Sequence, residues 1–117
     1  MEKNVITPTD FVEEFYLLKQ SYLTSISDST HSASHVKSLL QQMNLSEGQR
    51  VTLMKLLDVA VTDILYTVLL GLDGAAQIGV KQVNYMVSDE QGNTVVCGDG
   101  EVEALAYKRF HDAALPQ

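Results

Sequence analysis

The sequence predicts an α+β fold that is mostly helical: three helices, then a β-hairpin, then a C-terminal helix, with helix 46–72 at the centre. Apolar residues recur at three- and four-residue spacing as far as Leu72, the period of a helix face. Beyond Leu72 the period drops to two. Val83, Tyr85 and Val87 alternate with Asn84, Met86 and Ser88, as in a strand covered on one side. The length of 117 residues suits one domain, so residues 1–117 read as a single globular unit.

Thr7 is placed to cap the first helix, and Pro8 suits its first position, where the missing N–H removes no helical bond. Asp10, Glu13 and Glu14 favour the positive end of the helix dipole. Phe11, Phe15, Leu18 and Tyr22 form the stripe expected to face the core, and the helix is expected to end near Ser25. The polar run from Ser25 to Ser32 reads as a loop, because its side chains compete with helical hydrogen bonds. A shorter helix then turns Val36, Leu39, Leu40 and Met43 inward and closes at Asn44.

Ser46 and Gln49 have capping-box spacing and open the longest helix. Leu53, Leu57, Ala60, Ile64, Val68 and Leu72 lie on one side of it, and Met54, Val61, Leu65 and Leu69 widen the stripe. A helix apolar over most of its circumference is expected to be wrapped by others, with Ile64 and Leu65 mid-way along it in the core. Gly71 and Gly74 can end it. Residues 83–97 read as a hairpin, turning at Asp89-Glu90-Gln91-Gly92-Asn93, where Gly92 can take a positive φ. Val102, Leu105, Ala106 and Phe110 form the inner face of the last helix.

The net charge of −7 is unevenly spread. Residues 1–55 carry six acids against five bases, and residues 56–117 carry nine against three. Asp89, Glu90, Asp99, Glu101 and Glu103 follow one another with no base between them. Such a surface repels phosphate backbones and anionic lipid and attracts basic partners, which argues against binding nucleic acid or membranes. The longest apolar stretch, 59–72, contains Asp63 and falls short of the roughly 20 residues that span a bilayer. Cys97 is the only cysteine, and Met1-Glu2-Lys3-Asn4 leads into polar sequence without a secretory pattern, so a cytoplasmic setting is expected.

Catalytic signatures are lacking. His31 and His35 have the four-residue spacing of a metal pair, but Ser32 stands where the zinc-protease motif needs a glutamate, and no third ligand adjoins beyond Asp28. Cys97 sits in a β-prone run among acids that raise its pKa, and reads as a buried structural thiol. The glycines of 71–79 follow a helix rather than a strand and lack a phosphate-binding lysine. No catalytic residue, cofactor or metal ligand is therefore predicted. The candidate partner-binding residues are Asp89, Glu90, Asp99, Glu101 and Glu103. The hairpin could also pair with that of a second copy, giving a homo-oligomer.

The helices leading to Leu72-Asp73-Gly74, the run from Val83 to Asn93 and the closing acidic helix together resemble some bacterial immunity proteins of contact-dependent growth inhibition and polymorphic toxin systems. The resemblance is one of size, charge and layout over most of the chain. It implies a protein that binds a cognate toxin domain, often a basic nuclease, and covers its active site. The alternatives are an adaptor or structural module with another protein partner, and a metal-dependent enzyme using His31, His35 and carboxylates.

Overall fold

Thr7 and Asp10 cap each other's backbone at 3.1 Å and start α1 (Pro8–Ser27), which runs two residues past the expected end near Ser25. In this computed structural model, which describes residues 5–27 and 34–112, α2 (His35–Gln42) follows, capped by the Ser34 hydroxyl. Asn44, just past α2, takes the left-handed conformation with φ 53°. The Ser46–Gln49 capping box forms and opens α3 (Glu47–Leu72). That helix closes in a Schellman motif: the Ala75 amide donates to Leu70 and that of Gly74 to Gly71, with Gly74 at φ 83°.

The hairpin is shorter than 83–97. β1 (Val87–Ser88) pairs antiparallel with β2 (Thr94–Val96) in the register Val87–Val96 and Ser88–Thr94, which leaves Val95 as a bulge. The extra residue breaks the alternation, so both Val95 and Val96 are buried. Past Val96 the chain turns away through Gly98 and Gly100, both at positive φ, and among the described residues no strand pairs with 83–86, which stay outside the ladder. α4 (Glu101–Tyr107) then runs into a single wider π-helical turn, Lys108–Asp112.

α1, α3 and α4 pack on one another, with β2 against α1. Their core is Val12, Leu69, Val95, Val96, Val102, Ala106 and Phe110. The architecture is thus mostly helical with one two-stranded antiparallel hairpin, in the expected order.

The last helix buries Val102, Ala106 and Phe110 with Leu105 against them, as expected, and Phe11 and Phe15 of α1 pack on the core. The other helix faces differ from those expected. α1 buries Val12, Lys19 and Ile26, with Tyr16 and Leu23 beside them, whereas Leu18 is 60% exposed. α2 buries Lys37 and Leu40 and leaves Val36, Leu39 and Met43 exposed. α3 turns Asp58, Thr62, Leu65 and Leu69 towards α1 and α4, and Ile64 is 65% exposed. It is packed on one side, not wrapped. The cause is a polar contact: buried Lys19 donates to Asp58 at 2.8 Å and to Thr62 at 2.9 Å, its ammonium 5.0 Å from the Tyr16 ring centre. A buried ammonium needs such partners, and here they fix how α1 and α3 face each other.

Candidate protein-binding surface

The acidic residues fall into two groups at opposite ends of β2, which spans roughly 10 Å at about 3.3 Å per residue. Asp89 and Glu90 lie at the hairpin turn, and Asp99, Glu101 and Glu103 at its base and the start of α4.

Two of the five carboxylates build local structure. Asp89 Oδ1 accepts from the backbone of Gln91 and Asn93, both at 2.9 Å, and Oδ2 accepts from the Asn93 side chain at 2.9 Å. The Asn93 amide, first through its side chain, holds the Asp89 carboxyl below its ordinary value. Because the folded pKa is depressed, the stabilisation is present above about pH 4 and is lost as pH falls through the folded value. The Gln91 and Asn93 amide resonances should therefore follow one titration below that pH, and Asp89→Asn should abolish it. Asp99 accepts from the Glu101 backbone at 3.0 Å and from the Cys97 thiol. Cys97 is exposed, not buried, and its thiol is raised above its ordinary value first by that bond.

Glu90, Glu101 and Glu103 are exposed, and the carboxylates of Glu90 and Glu101 have no partner among the described residues. Next to Glu103 lies an aromatic group that residue spacing alone does not reveal. The π-helical turn brings His111 edge-on to Tyr66, with ring centres 4.4 Å apart, and places it 5.8 Å from Tyr107. Burial, then Glu103 and Tyr107, raise the Tyr66 phenol above its ordinary range. Tyr107 is exposed.

Ahead of the hairpin, Ile78, Val80, Val83, Tyr85 and Met86 all lie exposed, Val80 at 90%. Asp73 anchors the hairpin base from beneath: its buried carboxylate accepts from Gly98 at 3.1 Å and from Glu103 at 2.9 Å. It thereby caps α4, whose own N-cap, Gly100, has no side chain to do so.

Of the basic residues near the end of α4, Arg109 is committed internally. Its Nη2 donates to Glu13 Oε2 at 3.1 Å, its Nε lies 2.8 Å from Oε1 as an ion pair without a hydrogen bond, and its guanidinium covers Tyr16 at 3.7 Å.

His35 is exposed at the start of α2, and His31 lies outside the described residues. Among the described residues no His, Cys, Asp and Glu group could hold a metal ion, and no helix is long and apolar enough to cross a membrane. No family model matches the chain, and neither a curated protein nor a solved structure matches it.

Proposed function

We propose that this chain is a non-catalytic binding protein of the immunity type, which docks a basic toxin domain on the surface formed by the hairpin and the start of α4. The observations that support it are the exposed Ile78, Val80, Val83, Tyr85 and Met86 ahead of the hairpin and the exposed carboxylates of Glu90 and Glu101, which have no partner among the described residues. Apolar contact surface rimmed by charge is the ordinary anatomy of a protein interface. The exposed Tyr107 beside Glu103 adds a residue type enriched among strong interface contacts. The acids Glu90, Glu101 and Glu103 outnumber the exposed Lys81 there, and such an excess speeds encounter with a basic partner and disfavours acidic ones.

Affinity capture from the native cell, followed by mass spectrometry, tests this reading with two baits. Wild type is expected to retain a protein of net positive charge in stoichiometric amount. Glu90→Lys/Glu101→Lys is expected to lose it. An acidic partner, or equal retention by both baits, would favour an adaptor with different docking chemistry.

A further inference from the structure

The most apolar stripe of the longest helix faces away from the core. At about 100° per residue, Leu53, Leu57, Ala60, Ile64 and Val68 share an arc of roughly 80°, centred about 130° from the side holding Asp58, Thr62, Leu65 and Leu69. None of these five is buried. Beside the stripe, Leu53 and Leu57 join Val36, Leu39, Leu40 and Met43 of α2 in a groove of about 180 Å³. Leu56 extends the patch on the other side of Leu53, the two lining a common hollow.

We propose that this face pairs with the same face of a second copy, making an antiparallel α3–α3 dimer. The stripe is self-complementary about the midpoint between Ala60 and Val61. Leu57 and Ile64 are equally distant from that point, and so are Leu53 and Val68. A two-fold axis there brings Leu57 of each copy to Ile64 of the other and Leu53 to Val68, as an isologous interface requires. Ala60, at the crossing, lets the helices approach closely.

The area agrees. Val36, Leu39, Met43, Leu56 and Ile64 are between 37% and 65% exposed. With roughly 150–200 Å² for a fully exposed aliphatic residue, they leave on the order of 450 Å² of apolar surface. Interfaces are about 60% apolar, so this corresponds to about 750 Å² per copy, close to the roughly 800 Å² of a standard stable interface.

Charge permits the pairing despite the net −7. Residues 34–68 hold Glu47, Asp58 and Asp63 against Lys37, Arg50 and Lys55, which balance. The acidic excess lies outside this segment, −3 of it in residues 1–33 and −4 beyond residue 68. The dimer therefore uses a surface separate from the proposed partner site.

Sedimentation equilibrium of the full chain over a wide concentration series tests the proposal. Wild type is expected to reach twice the chain mass of 12.9 kDa. Ile64→Lys and Ala60→Glu, both at exposed positions, should each weaken self-association at least about a hundredfold with unchanged far-UV circular dichroism. Met86→Lys, on the hairpin side, should leave the dimer intact. A single-chain mass at every concentration overturns the proposal. So does a dimer indifferent to both α3 substitutions, or one lost with Met86→Lys. Should one α3 variant fail to fold, the wild-type mass and the other variant still decide.

Discussion

Leu69→Ala is expected to lower the unfolding free energy by roughly 2–5 kcal/mol. Leu69 is 0% exposed and belongs to the cluster with Val12, Val96, Val102 and Phe110, so truncation leaves a cavity walled by two other helices and β2. A domain of this size has about 5–15 kcal/mol in all, so the loss would be a large share. Val59→Ala, on the same helix but exposed, should cost less than about 1 kcal/mol. Urea unfolding of both variants checks the contrast. Equal losses would mean that α3 is turned differently on its axis.

Asp73→Ala should be next in size, at about 2–4 kcal/mol, because one buried carboxylate accepts two backbone N–H bonds from separate elements. The substitution would release the base of the hairpin and uncap α4 together. Asp73→Asn keeps one amide oxygen as acceptor and should lose about half as much. Hydrogen exchange gives the local readout: the Gly98 and Glu103 amides should exchange faster in Asp73→Ala, while those of α1 change only with global stability. Unaltered protection at both amides would remove Asp73 from this role.

Helix order, the caps at Thr7, Ser46 and Asn44, and the glycine turn at Gly92 were legible in the sequence, because each depends on residues within a few positions of one another. So was the inner face of α4, but the faces of α1, α2 and α3 were legible only in part. On α1 the covered positions Val12, Tyr16, Lys19, Leu23 and Ile26 keep perfect helical spacing, but Lys19 disguises that row, and of the more apolar row Phe11 and Phe15 pack on the core while Leu18 and Tyr22 are exposed. On α3 Asp58 and Thr62 hide the packed face in the same way. A lysine and its acceptors separated by some 40 residues, 39 and 43 in the two bonds, signal burial only once they are seen together.

The candidate surface was legible as charge but not as geometry. Five acids without a base are visible in the chain, but the division of labour among them is not. Asp89 and Asp99 hold turns through their own backbone neighbours, whereas Glu90, Glu101 and Glu103 lie exposed. The aromatic group of Tyr66, Tyr107 and His111 needs the π-helical turn, for which the sequence carries no local signal.

The binding account rests on those outward carboxylates, and the salt dependence of association with the captured partner tests it most directly. Rates would be measured at two ionic strengths for wild type, Glu90→Lys/Glu101→Lys and Glu14→Lys. Glu14 is exposed on α1 and, unlike its neighbour Glu13, is not paired with Arg109. The account predicts that the double reversal slows association steeply at low salt and little at high salt, while folding stability falls only by the roughly 1 kcal/mol expected of a lysine at the start of α4, and that Glu14→Lys slows association much less. Equal slowing by the two variants, or none by either, would contradict it.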